Sequence, residues 1–322
     1  MMFYARYPSD SVTQKIILDN GIGVIVPQSS LVYLYPDLDA DNPQWDDLDQ
    51  RLATIPDNQP VHCHPIISRS MQGFIRRDIE DIKRFVYPVL EKYGNRVERW
   101  TLCNELLQSP AAVQMKVISL YEDVARDFPS LKLWVGEYGL RTAHSVNGLA
   151  PPLLELKAAA DIEGLVFVDY MDIAVRNSNR VSWLRGLLTW AELFQGWLKS
   201  NNLSPQTVDD FIQAIELLKP EYIGLKVEKS FKQLSTLDIK LALETSVLTG
   251  ANPTEHDTAK EVLGYQVLVD LCQRYSVDFW HWNICDRAVG IPWDKDRNGT
   301  DCPGWWDRDG QLKPWAEKFF KQ

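Results

Sequence analysis

The chain has 322 residues, 45% of them hydrophobic, and a formal net charge of -10. That length leaves room for one domain of ~250 residues carrying an insertion. The acidic balance argues against nucleic acid as a partner, since phosphates need a basic surface, and no run approaches the ~18 apolar residues of a membrane span.

Met1 to Pro8 has neither the basic n-region nor the long apolar h-region of a secretory signal. The chain as written is therefore expected in the cytoplasm, and a true start lying upstream would make it secreted. Residues 2–7 predict a short first strand. Ser11 to Asn20 predicts a helix with an N-cap serine, and Gly23 to Pro27 a clearer second strand ending at Gln28-Ser29-Ser30. Asp37 to Asp49, with Pro36 and Pro43, reads as a solvated loop leading to a short helix around Leu48 to Ala53. Val61 to Ile67 is the third strand, and alternation puts His62 and His64 on one face, so that one could bind a ligand while the other packs. Ile75, Ile79, Ile82, Phe85, Val86, Val89 and Leu90 then recur at helical spacing.

Arg99-Trp100-Thr101-Leu102-Cys103-Asn104-Glu105 is an apolar run that ends abruptly in Asn-Glu. Buried parallel strands read as near-continuous apolar runs, and in a (β/α)8 barrel the catalytic groups stand at their C-terminal ends. Glu105 is placed for that role. A helix over Ala111 to Asp127 precedes strand five, Leu131 to Tyr138, which ends in Gly136-Glu137-Tyr138. Glu137 is a supporting carboxylate candidate or a rim residue bonded to nearby backbone. Two segments compete for strand six, Ile162 to Tyr170 and Tyr222 to Glu228, and the second is preferred because it directly precedes the helix Ser230 to Leu237 and the next strand. Residues 145–220 then form an insertion with helices Ser182 to Lys199 and Ser204 to Leu218. Its Trp183, Trp190 and Trp197 recur every seven residues on one face, more simply a core or docking stripe than a ligand platform. Lys240-Leu241-Ala242-Leu243-Glu244 is a second apolar run closed by a carboxylate, which brings two glutamates to one rim. A helix from Thr258 to Tyr275, a last strand from Phe279 to Ile284 and an aromatic tail complete the chain. Cys63, Cys103, Cys272, Cys285 and Cys302 are odd in number and unspaced, which suits free thiols rather than a disulfide framework or a zinc site.

The Trp-x-x-x-Asn-Glu strand and the later Leu-Glu strand resemble the acid/base and nucleophile strands of glycoside hydrolase family 10, the retaining xylanases. The likeness extends to Val61-His62-Cys63-His64-Pro65-Ile66-Ile67, to Phe279-Trp280-His281-Trp282-Asn283-Ile284-Cys285-Asp286, and to the closing Asp307-Arg308-Asp309-Gly310-Gln311-Leu312-Lys313-Pro314. It implies a single (β/α)8 TIM barrel over 1–322, with an insertion before or around strand six. The implied protein is a monomer that acts on a carbohydrate without metal or organic cofactor. By the same resemblance Glu105 is the acid/base, Glu244 the nucleophile, Asn104 a ligand of the sugar 2-hydroxyl and His64 a sugar-binding histidine. Trp282, with Trp293 or Trp305, would supply the floor and wall of the pocket.

The departures are specific. Where the family has Glu-Asn-x-x-Lys after its second strand this chain has Gln28-Ser29-Ser30-Leu31-Val32, and Ser68 replaces the tryptophan after the third-strand histidine. The strand-six histidine that supports the nucleophile is replaced near Glu228, and the aspartate after the nucleophile is Ser246. These changes bear on xylan as substrate, so a barrel glycosidase for another β-glycan and a catalytically silent carbohydrate-binding barrel stand as rivals.

Overall fold

The computed structural model describes residues 1–8, 10–36, 42–138, 145–168, 171–172, 224–225, 227–245, 247–248, 255–281, 284, 305–307 and 309–320. Eight parallel strands close into a barrel: β1 (Phe3–Arg6), β2 (Gly23–Val26), β3 (Val61–Cys63), β4 (Arg99–Asn104), β5 (Leu133–Tyr138), β6 (Gly164–Val168), β7 (Lys240–Thr245) and β8 (Asp278–His281). Each pairs with its sequence neighbours, and β8 closes the ring on β1 through Phe3↔Phe279 and Tyr4↔Trp280. Helices α1 (Ser11–Asp19), α2 (Asp46–Thr54), α3 (Ile79–Tyr93), α4 (Ala111–Asp127), α5 (Ser145–Ala160) and α6 (Glu255–Tyr275) alternate with the strands.

Local chemistry explains the small shifts from the expected boundaries. The cap of α1 is Asp10 rather than Ser11, because the Asp10 carboxylate accepts the Thr13 N–H at 2.9 Å. The third strand stops at Cys63 and resumes only at Ile67–Ser68, since Pro65 has no N–H to give to a ladder. Helix α3 is capped by Asp78 and buries Ile82, Phe85, Val86, Val89, Leu90 and Tyr93, the stripe expected from its periodicity.

Strand six is a correction. It is Gly164–Val168, which pairs with β5 on one side and β7 on the other. The preferred alternative is helical over 227–234, with Val227, Phe231 and Leu234 buried at helical spacing. Helix α5 and β6 thus occupy the start of the 145–220 segment as barrel elements, while helices 182–199 and 204–218, with their three tryptophans, lie outside the described residues.

Inside the barrel, Tyr4, Ile25, Trp134, Val166, Ala242 and Trp280 form a core separate from the larger one between strands and helices. Its N-terminal end is closed by charge. Arg99 pairs with Asp278 at 2.9 Å and lies over the rings of Tyr4 and Trp134, and Glu163 bonds both Trp134 Nε1 (2.7 Å) and Lys240 (2.6 Å). The C-terminal end is left for chemistry.

Candidate active site at the C-terminal rim

Alternation along β7 sends Leu241 and Leu243 outward and Ala242 inward, so Glu244 projects into the barrel mouth. It is 3% exposed, and its Oε2 lies 3.0 Å from His64 Nε2, itself 2% exposed. The two atoms are in direct contact without an aligned hydrogen bond. Burial acts to raise the Glu244 pKa, but the neighbouring His64 and, as a smaller effect, the charge of Arg6 outweigh it and hold the carboxyl below its ordinary value. Glu244 is therefore anionic at neutral pH.

His62 and His64 do share a face, and both rings meet Trp280, with centroids at 4.3 and 5.4 Å. Their environments separate them. His62 is fully buried, its Nε2 is bonded to Thr101 Oγ1 at 2.8 Å, and burial together with the charges of His64 and Arg99 pushes its pKa well down. It is a neutral packing residue, while His64 faces the carboxylate.

The Asn-Glu pair is aimed by a bulge. Thr101 pairs with Trp134 and Asn104 with Gly136, so Leu102 and Cys103 on β4 oppose Val135 alone on β5. The buried Tyr121 hydroxyl of α4 fills the break, accepting the Cys103 N–H at 3.0 Å and donating to the Trp134 carbonyl at 2.6 Å. Beyond the bulge Asn104 points into the mouth at 8% exposure. Glu105 takes a left-handed backbone, φ 61°, with its N–H on the Gly136 carbonyl at 3.0 Å. Glu105 is half-buried.

Gly136 makes this close approach feasible. A Cβ there would stand 2.2 Å from Asn104 Oδ1 and 2.9 Å from His64 Cε1, so only glycine lets both side chains converge over β5. Next to it Glu137, 2% exposed, accepts the Leu107 N–H at 2.9 Å and pins the loop that carries Glu105. Its place is that of a loop anchor.

The tryptophans divide. Trp282 and Trp293 lie outside the described residues. Trp305 is fully buried on the outside of β8, against Phe3, Phe279, His281 and Tyr265 with centroids 5.0 to 5.8 Å apart, and so stands in the layer between strand and helix, away from the mouth. The barrel floor beneath His64 is instead made by Trp280 and Trp134, stacked at 6.4 Å. Both are inward positions of apolar runs, and the run's alternation was the signal for them. Arg6, at the inward end of β1, is a further charged group that the sequence did not single out.

Buried polar atoms cluster here. His64 Nδ1, Asn104 Oδ1 and Glu244 Oε2 have no hydrogen-bond partner among the described residues. Such atoms are rare in protein interiors, and several at one barrel mouth mark a place built to bind polar groups. Among the described residues no group of three His, Cys, Asp or Glu stands close enough to hold a metal, and no helix is long and apolar enough to cross a membrane. Cys63, Cys103 and Cys272 are buried free thiols.

Fold and site together define a (β/α)8 barrel with two carboxylates at the C-terminal rim. No family model matches the chain, and no curated protein matches it. Solved structures do. A glycoside hydrolase family 10 xylanase from Thermobacillus composti superposes with a TM-score of 0.71 at 12% identity, over 100% of this chain and 96% of that one. The endo-1,4-β-xylanase of Caldicellulosiruptor owensensis gives 0.70 at 11% identity, over 100% and 97%. Xylanase 10B of Thermotoga petrophila, solved in complex with xylobiose, gives 0.66 at 13%, over 99% and 94%. At such identities the likeness establishes the barrel fold.

Proposed function

We propose that the chain is a retaining glycoside hydrolase acting on β-linked plant-type polysaccharides or oligosaccharides, with xylan the favoured substrate. The observation that carries this reading is the buried, anionic Glu244 on one strand end with the half-buried Glu105 on another, beside His64 Nδ1 and Asn104 Oδ1, which lack partners among the described residues. The solved structures most like this barrel include xylanases, which favours the substrate class.

Retaining hydrolysis needs a carboxylate to attack the anomeric carbon and an acid ~5 to 5.5 Å from it to protonate the leaving oxygen. Glu244 attacks and forms a glycosyl ester, while Glu105, kept protonated by the neighbouring negative charge, gives its proton to the departing sugar. Once Glu244 is esterified its charge is gone. Glu105, now ionised, takes a proton from water, which hydrolyses the ester and restores both groups. Asn104 bonds the 2-hydroxyl of the sugar at the point of attack. The Gln28-Ser29-Ser30 departure on the glycone side favours a second reading, a glycosidase for another β-glycan or a short glycoside.

The test is hydrolysis of xylan and a panel of aryl β-glycosides by wild type and Glu105→Ala. Loss of the acid should spare substrates with good leaving groups, and azide should rescue the variant as a β-glycosyl azide. Sugar binding with no turnover of any substrate would replace this reading by a silent carbohydrate-binding barrel.

A further inference from the structure

We propose that His64 is the positioning residue of the Glu244 carboxylate, so that the third strand of this barrel, and not the sixth, holds the nucleophile. The inference rests on the reading of Glu244 as nucleophile. The sixth strand and the residues just past its end, Gly164 to Asp172, contain no histidine. His64 and Glu244 are 2% and 3% exposed and 3.0 Å apart, and a carboxylate that deep stays charged only when paired.

Among the described residues, few groups face this pair. From β3 comes His62, neutral and bonded to Thr101; from β1 comes Arg6, whose charge acts on Glu244; from the end of β4 comes Asn104, whose Oδ1 borders the same space over Gly136 as His64 Cε1, with Glu105 next to it in the chain. The His64 ring is itself fixed, edge-on to Trp280 at 89°, with its Cε1 in the space that a side chain at Gly136 would fill. Nε2 thereby faces the carboxylate at 3.0 Å. Nδ1, buried and without a partner among the described residues, is the ring atom left to meet a sugar hydroxyl. His64 thus orients the attacking oxygen and keeps it anionic, and any contact with substrate comes second.

The test compares the pH dependence of kcat/KM on an aryl β-glycoside for wild type, His64→Gln and His64→Asn. Loss of the imidazole should move the acidic limb upward by about one pH unit or more, because burial is then opposed only by Arg6. kcat should fall while KM changes little. A raised KM with the acidic limb in place would mean a sugar-binding histidine only, and would overturn the proposal. Wild-type protein labelled with 13C-glutamate and ring-labelled histidine gives a second measurement that needs neither turnover nor a folded variant. The Glu244 carboxyl and the His64 ring should respond to each other's titration; independent titrations would overturn the pairing. If wild type hydrolyses no glycoside, the proposed function fails while this titration still decides whether His64 and Glu244 are coupled.

Discussion

Tyr121→Phe removes one oxygen from a helix outside the barrel and should disturb the site on the far side of the sheet. The hydroxyl is fully buried and serves two backbone groups that the β4 bulge takes out of the ladder, the Cys103 N–H at 3.0 Å and the Trp134 carbonyl at 2.6 Å. Phenylalanine fills nearly the same volume, so no cavity arises and the cost is that of polar groups left without partners. Each buried unsatisfied group costs roughly 1 to 3 kcal/mol, so two, with partial relaxation, give about 2 to 4 kcal/mol. Urea unfolding at pH 7 reads this as a lower midpoint with an unchanged slope. Because the bulge aims Asn104 and Glu105, kcat on an aryl β-glycoside should fall as well. A change below about 0.5 kcal/mol, within the range of ordinary surface substitutions, together with unaltered kcat would refute the assignment of the bulge to this hydroxyl.

Other substitutions probe other contacts. Gly136→Ala puts a methyl group 2.2 Å from Asn104 Oδ1 and 2.9 Å from His64 Cε1, so it should cut kcat/KM at least tenfold; wild-type rates would show that neither side chain is needed where it stands. Trp305→Ala should cost about 3 to 5 kcal/mol of stability in urea, as a large core truncation does, with KM unchanged in the protein that stays folded; a selective rise in KM would put Trp305 at the substrate after all. His281 is pushed down to about 3 by burial and, second, by the charge of Lys313. Its unfolded-state pKa, ~6.5, lies above the folded value, so the unfolded chain binds the extra proton and stability falls as pH drops from there towards 3, by about 1.4 kcal/mol per pH unit. His62, also shifted downward by burial, adds to the same slope. His281→Phe should lose stability less steeply between pH 7 and 5 than wild type in urea titrations; equal slopes would mean that His281 is charged in the folded protein.

The barrel was legible because its buried strands are apolar runs punctuated by charge, and Glu105 and Glu244 stood out as the carboxylates that close two such runs. Strand six was not legible locally. Gly164–Val168 and the 222–228 segment are both short and apolar, and what separates them is pairing with β5 and β7, a non-local fact. The helical spacing of Val227, Phe231 and Leu234 was the one local clue against the second. His64 was found, but its partner was not, because the distance from the third strand to the seventh is a property of barrel closure. Nothing local marks Tyr121 or Gly136; the bulge and the convergence of Asn104 and His64 give each its reason. Trp305 misled because an aromatic tail shows no alternation from which to read its face.

Everything proposed for the site turns on Glu244 attacking the anomeric carbon. The most direct measurement is to inactivate the protein with an activated 2-deoxy-2-fluoro-β-glycoside, whose fluorine slows hydrolysis of the glycosyl-enzyme, and to locate the adduct by mass spectrometry. Attack by Glu244 predicts a mass gain of one fluoroglycosyl unit, placed on Glu244 and absent from Glu244→Gln. An adduct on another residue would contradict it, as would release of the inverted anomer as the first product of a cleaved substrate.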